Sequence, residues 1–228
     1  MLPNAMIIGA TKCGTTSAYF NLSQHPKVVF LNEPRFFDRH WERGVDWYER
    51  RFQHLDPNEL SIIGDKTPSL YADKQALSRI KSIMPNIKMI LLLRNPVHRL
   101  ISRWRHRLKR RDPMAKIEEV IEMILYQDDY SESIQQIWDM FSKEQLHIAI
   151  SERVRINMDV EYGRMFSFLG VEPFNSTYEL QNITQNRVPV PPVVLSTIFD
   201  KYREANERLF ETLGYDIPEW SEMSISVL

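Results

Sequence analysis

Apolar residues fall along this chain in short runs, each closed by glycine, proline or a polar turn. Ala5–Ile8 is one such run, stopped at Gly9, and helix-compatible residues resume from Thr15 to Leu22. The pattern predicts a buried strand, a glycine loop and a helix, in that order. Val28–Leu31 predicts a second strand, closed by Asn32-Glu33-Pro34, and Ser61–Gly64 a third, ending at Asp65-Lys66-Thr67-Pro68. Ile87–Leu93 is apolar except for Lys88, as expected of a central parallel strand covered on both faces, and Leu146–Ile150 is a fifth strand.

Helical spacing fills the intervals. Gly44–Phe52 places Trp47, Tyr48 and Phe52 on one face. Asp73 reads as the N-cap of a helix carrying Ala76, Leu77, Ile80 and Met84, stopped by Pro85. A long basic helix is expected from Pro96, a residue suited to open it, to about Arg110. Further helices are expected over Ile117–Tyr126, Ser133–Phe141, Met158–Leu169 and Val193–Leu213. Strands alternating with helices predict an α/β fold, with a mostly parallel central sheet flanked by helices, in a single domain over residues 1–228. In such sheets ligands sit at the C-terminal ends of the strands, so the residues after each strand are the candidates for chemistry.

Composition narrows the setting. With 29 basic and 30 acidic residues the formal net charge is −1, which argues against a protein that coats nucleic acid, though not against a local basic cleft. One cysteine, Cys13, rules out an intramolecular disulfide. The first residues carry no charged n-region or long apolar stretch, and no internal apolar run approaches the roughly 20 residues of a membrane span. A cytoplasmic protein with no membrane partner is the expectation.

The loop after the first strand is Gly9-Ala10-Thr11-Lys12-Cys13-Gly14-Thr15-Thr16. Strand, glycine loop and helix together form the setting of a phosphate cradle, where backbone N–H groups and the positive helix end attract an anion. Thr15 stands where the nucleoside-triphosphate pattern requires lysine, and the lysine is at Lys12, ahead of the second glycine. That arrangement suits a shorter 5′ anionic group with no obligatory metal, although on the loop alone an ordinary glycine turn with a surface lysine fits as well. A second anion signal follows the most strand-like segment: Arg94 leaves the strand end, Pro96 opens the helix, and Ser102 lies two helical turns beyond Asn95.

Together, T-K-x-G-T-T after the first strand and L-R-N-P-x-x-R-x-x-S after a later one resemble the two signature segments of sulfotransferases that use 3′-phosphoadenosine 5′-phosphosulfate (PAPS). Asn32-Glu33-Pro34-Arg35-Phe36-Phe37-Asp38, then Gly44-Val45-Asp46-Trp47-Tyr48, then Asp65-Lys66-Thr67-Pro68-Ser69-Leu70-Tyr71, resemble elements of the heparan sulfate N- and 3-O-sulfotransferase branch. Ser151-Glu152-Arg153 followed by Phe168-Leu169-Gly170 resembles a later sulfotransferase region. The likeness runs in order from residue 5 to about 170 and implies a P-loop-like sulfotransferase fold in a bacterial-type, cytosolic relative. The chain departs from the animal branch in lacking its disulfide-closed loop, and Gln185-Asn186-Arg187 stands where that branch has K-G-R.

The resemblance implies roles. Lys12 would stabilise the leaving and bridging oxygens, and Cys13, Gly14, Thr15 and Thr16 would donate to the 5′ phosphate. Glu33 would be the base, its carboxylate buried beside Phe36-Phe37 and so held above the usual range. Lys66 would lie near the sulfuryl group, with Asp65 orienting it. Arg94 and Ser102 would bind the 3′-phosphate, with Arg187 as a third contact, and His106 would be a second proton carrier. The acceptor would be a glycan or a small molecule, presenting a hydroxyl or an amine. Two other readings stay open: a P-loop nucleotide kinase, and a non-enzymatic anion or nucleic-acid binder using the basic Arg99–Arg111 helix.

Overall fold

The computed structural model describes residues 1–110, 117, 129–174, 176–181 and 188–221. The expected helix over Ile117–Tyr126 therefore lies outside the described residues, apart from Ile117. The chain forms two compact units, residues 1–93 with 136–182, and residues 94–135 with 183–228.

The first unit is built on a five-stranded sheet: β1 (Ala5–Gly9), β2 (Val28–Asn32), β3 (Ile62–Lys66), β4 (Lys88–Leu93) and β5 (Leu146–Ile150). The strands are ordered β2-β3-β1-β4-β5, and every pairing is parallel. The near-continuous apolar runs read from the sequence have the burial that position requires: all five residues of β1 and the last five of β4 are buried. Sequence neighbours β2 and β3 lie on one side of β1, and β4 and β5 on the other. The chain thus reverses direction about β1, the place where open parallel sheets bind ligands.

β3 runs two residues further than expected. Gly64 reads in sequence as a terminator, but a Cβ there would stand 2.2 Å from the Phe30 ring of β2, so this glycine is an interior residue that lets the ring lie over the strand. Asp65 and Lys66 are consequently strand residues, paired with Met6 and Ile7 of β1 on one side and with Leu31 and Asn32 of β2 on the other.

Helices of this unit are α1 (Thr15–Leu22), α2 (Phe36–Arg39), α3 (Val45–Arg50) and α4 (Lys74–Ile83). Asp73 caps α4 as expected, its side chain accepting from the Ala76 N–H at 2.9 Å. Four-residue α2 carries too little periodicity to be read from sequence; it is made by burial of Phe36 and Phe37 against Tyr48, with Phe36 stacked on Tyr48 at 4.6 Å between ring centroids.

In the second unit α5 (Pro96–Arg110) buries Val97, Leu100, Ile101 and Trp104 against Ile198 and Tyr202 of the long C-terminal helix, Pro192–Leu213. Between these in the chain lie α6 (Tyr130–Met140), α7 (Ser151–Ile156) and α8 (Met158–Leu169), the last two belonging to the first unit; the long helix is α9. No helix of the described residues is long and apolar enough to cross a membrane.

Candidate active site

The residues that leave β1, β2 and β3 are brought side by side because the three strands pair in parallel. The Glu33 N–H donates to the Lys66 carbonyl at 2.8 Å, and the Thr67 N–H to the Ile7 carbonyl at 3.1 Å. From the end of β3 the Lys66 ammonium donates to Glu33 Oε1 and to Asn32 Oδ1, each at 3.0 Å. The pair is asymmetric: the Lys66 side chain is 3% exposed and that of Glu33 44%. A buried cation is thus tied to a carboxylate that faces solvent.

Among the described residues, the non-glycine positions with positive φ are Lys12 (69°), Glu33 (54°) and Arg35 (55°). Left-handed backbone costs an L-residue roughly 1–2 kcal/mol. Such strain gathers where the surrounding structure fixes a functional group. All three lie just past β1 or β2.

The glycine loop is shaped as a cradle. Gly14 adopts φ 91° at the N-cap of α1, and no side chain caps that helix end. A Cβ on Gly14 would combine a disfavoured backbone with contact at 3.4 Å to Ser151 Oγ. The Ser151 hydroxyl donates to the Cys13 carbonyl, tying the loop to the start of α7. The Cys13 side chain is buried, and its N–H is turned inward to the Ala10 carbonyl at 3.1 Å. The outward-facing part of the loop is therefore half-buried Lys12, exposed Gly14 and half-buried Thr16, while the Thr15 side chain between them is buried at the first turn of α1. These groups fit the short 5′ anion read from the sequence.

Two expectations about this region need correcting. Glu33 is not buried beside Phe36-Phe37. It lies past the last ladder pair, Asn32 with Lys66, at the open end of the sheet, while the two phenylalanines belong to the aromatic layer under α3. The buried carboxylate is Asp65, which is fully enclosed and accepts from Tyr48 Oη and Thr67 Oγ1 at 2.7 Å each. Burial pushes the Asp65 carboxyl up to about 6 against the opposing pull of those two hydrogen bonds. Burial also raises the Tyr48 phenol well above its usual range, reinforced by the Asp65 charge. Nor does Asp65 orient Lys66 by contact: neighbours on a strand point to opposite faces, and Asp65 holds Tyr48 and Thr67 while Lys66 reaches Asn32 and Glu33.

Asn32 and Ser151 were not assigned roles from the sequence. In sequence Asn32 is one residue of a motif whose candidate base is Glu33, and Ser151 belongs to a segment that carries only a family likeness. Both act on the site through hydrogen bonds that join residues far apart in the chain.

In the second unit, Asn95 is the cap of α5: its side chain accepts from the Val97 N–H at 2.9 Å, and Pro96 opens the helix as expected. Arg94 is half-buried just ahead of it, its carbonyl accepting from Tyr130 Oη at 3.1 Å. Ser102 is half-buried on α5, and His106 is exposed one turn further on. Arg99, the first residue of the basic Arg99–Arg111 run, is instead 1% exposed with its guanidinium 5.1 Å from the Tyr130 ring centroid, so it belongs to the packing of this unit. Arg111 and Arg187 lie outside the described residues.

Known proteins resemble this chain in sequence and in fold. The human heparan sulfate glucosamine 3-O-sulfotransferase 6 is 38% identical over 109 residues, 47% of this chain and 31% of that enzyme. Human heparan sulfate glucosamine 3-O-sulfotransferase 3B1 is 36% identical over 122 residues, 52% of this chain and 30% of that one. The chain thus matches less than a third of the length of these relatives. Among solved structures, a sulfotransferase from Alicyclobacillus acidocaldarius superposes with a TM-score of 0.80 at 21% identity, covering 96% of this chain and 99% of that one. A mouse sulfotransferase complexed with PAP gives a TM-score of 0.61 at 13% identity, covering 92% of this chain and 84% of that one. The fold is therefore the P-loop-like sulfotransferase fold. Residues 2–206 match the family described as the sulfotransferase domain, and the chain belongs to that family.

Proposed function

We propose that the protein transfers a sulfuryl group from PAPS to a hydroxyl or amine of an acceptor, a glycan or a small molecule, with Glu33 as the base. The observation that carries this reading is the asymmetric pair at the ends of β2 and β3, where buried Lys66 holds the solvent-facing carboxylate of Glu33 one strand away from the Lys12 loop.

When bound, PAPS supplies the activated sulfuryl group and a phosphate leaving group. Sulfuryl transfer builds charge on the leaving oxygen and frees a proton from the acceptor, so it needs cations on one side and a base on the other. Lys12, with the amides of Gly14, Thr15 and Thr16, answers the 5′ phosphate. Lys66 places positive charge beside the reacting group and fixes the rotamer of Glu33 through Oε1. Glu33 then takes the acceptor proton at Oε2. By their likeness to the second signature segment, Arg94 and Ser102 answer the 3′-phosphate, with Arg187 as a further contact. His106 is the alternative proton carrier. The single, buried cysteine suits a reducing, cytoplasmic setting.

The test is release of PAP from PAPS over a panel of glycan and phenolic acceptors, with wild type beside Glu33→Gln and His106→Ala. Glu33→Gln is expected to lower turnover by about 100-fold or more, while keeping an acceptor oxygen for Lys66. Equal turnover by Glu33→Gln and wild type, or loss in His106→Ala alone, would remove Glu33 from the role of base.

A further inference from the structure

Helix α1 and the turn after it carry a polar row that core packing alone does not call for. Ser17, Asn21 and Gln24 are spaced i, i+4, i+7 and so share one face. Ser17 is 4% exposed and Asn21 fully buried, and an enclosed amide is costly unless its polar atoms are matched. Those of Asn21 are. Its Oδ1 accepts from the Glu179 N–H at 3.0 Å and from Gln24 Nε2 at 3.3 Å, while its Nδ2 donates to the Glu179 carbonyl at 2.9 Å and to Tyr162 Oη at 2.8 Å. One side chain thus pairs with both main-chain groups of Glu179, as a residue of a neighbouring strand would.

The partner of this row is the segment that follows α8. Residues 176–181 belong to no helix or strand, so their main-chain groups need partners from elsewhere. Ser176 Oγ donates to Gln24 Oε1, Glu179 is held by Asn21, and the Gln181 N–H donates to Ser17 Oγ at 2.9 Å. The contacts step from Gln24 back to Ser17 as the segment advances, so it runs antiparallel to α1 over about 10 Å of helix axis. Tyr178 fixes it from the side, its ring 4.7 Å from that of Tyr162, centroid to centroid, and its hydroxyl donating to the Phe174 carbonyl at 2.7 Å. The last contact is made at Ser17, the third residue of α1, in the same first turn as the amides assigned to the 5′ phosphate. All of these residues belong to the first unit.

We propose that residues 176–181 form a side wall of the PAPS cradle, and that Ser17 and Asn21 are positioning residues, which act on the cofactor by holding that wall against the first turn of α1. A wall fixed before the cofactor arrives removes the cost of ordering it on binding, so the row contributes to affinity rather than to the chemical step. The proposal rests on the sulfuryl-transfer reading and adds to it two residues that lie outside both signature segments.

The experiment is calorimetric titration of the full chain with PAP for wild type, Ser17→Ala, Ser17→Thr, Asn21→Ala and Tyr162→Phe, with hydrogen exchange at the Glu179 and Gln181 amides followed by nitrogen-15 NMR. Ser17→Ala deletes the acceptor for Gln181 and is expected to raise the PAP Kd about fivefold and to speed exchange at the Gln181 amide about tenfold. Asn21→Ala removes both bonds to Glu179 and is expected to raise Kd about tenfold or more; should it fail to fold, the two Ser17 variants decide the matter. Ser17→Thr restores a hydroxyl and should return Kd to within about twofold of wild type. Tyr162→Phe takes a partner from Asn21 but no bond from the segment, and should also stay within about twofold. Faster exchange at Gln181 in Ser17→Ala with Kd unchanged would overturn the proposal, leaving the row a purely structural role. A Ser17→Thr as weak as Ser17→Ala, or a loss in Tyr162→Phe equal to that in Ser17→Ala, would overturn it as well. Failure of wild type to bind PAP would count against the sulfuryl-transfer reading instead, since the amide exchange rates report the attachment of the segment on their own signals.

Discussion

The candidate residues of the first unit and those of the second are held in different ways. Lys12, Glu33 and Lys66 stand at the ends of three parallel strands whose register is fixed by main-chain hydrogen bonds, with β3 paired on both sides. That support holds left-handed backbone at Lys12 and Glu33 and keeps the Lys66 ammonium buried. Arg94, Ser102 and His106 instead lie on or just before one helix, placed by the Asn95 cap and by the packing of Val97, Leu100, Ile101 and Trp104 on α9. A sheet edge can carry strain and a buried charge; a helix surface presents groups at a spacing and leaves them nearer water. Substitutions at the strand ends should therefore change chemistry, and substitutions around α5 should change placement.

The largest effect is expected at Lys66. Lys66→Met keeps side-chain volume but removes the charge that holds Glu33, and turnover should fall by about 100- to 10,000-fold, measured as PAP release at saturating PAPS. A fall of the same size in His106→Ala would erase the contrast between the two units.

Next comes the pH dependence of stability. The Asp65 carboxyl rises from 3.8 to about 6 on folding, so between those values the folded protein binds a proton that the unfolded chain does not. This group therefore adds stability as pH falls from about 6 to about 4, by about 3 kcal/mol over the window. His147 on β5 acts in the opposite sense: burial, with the Arg164 charge second, lowers it from 6.5 to about 4, so the unfolded chain binds the extra proton and stability is lost as pH falls through that range. Asp65→Asn removes the first contribution and leaves the second. Urea midpoints between pH 4 and 7 should show the variant losing ground to wild type on acidification; parallel curves would place the Asp65 carboxyl in its ordinary range.

A smaller effect is expected at the second unit's cap. Asn95→Ala deletes the acceptor for the Val97 N–H and should cost about 1 kcal/mol by denaturant unfolding. It should weaken PAP binding through the placement of Arg94 and Ser102 more than it alters turnover at saturation. Smallest is His106→Ala, an exposed position, where turnover should stay within about threefold if Glu33 is the base.

Most of the fold could be read from the sequence because buried parallel strands need continuous apolar runs, and these end at visible breakers. β5, α1, α5 and α8 have the expected bounds. Gly64 misled because a glycine that ends a strand and one that admits a ring across it are the same letter; only the nearness of Phe30 separates them. The site was legible as a set of residue types following strands, and Glu33 and Lys66 do meet. Their environments were not legible. The enclosed carboxylate proved to be Asp65, because burial depends on Tyr48 arriving from α3, and no local pattern records that approach. For the same reason Arg99 looked like surface charge while packing on Tyr130 from α6.

The measurement that bears most directly on the central claim is calorimetric titration of the chain with PAP, with and without EDTA, for wild type, Lys12→Ala and Arg94→Ala. The account predicts binding that is unchanged by EDTA and weakened by about 2–5 kcal/mol when either cation is removed. Binding of ATP with magnesium in place of PAP, or PAP binding indifferent to both substitutions, would contradict it.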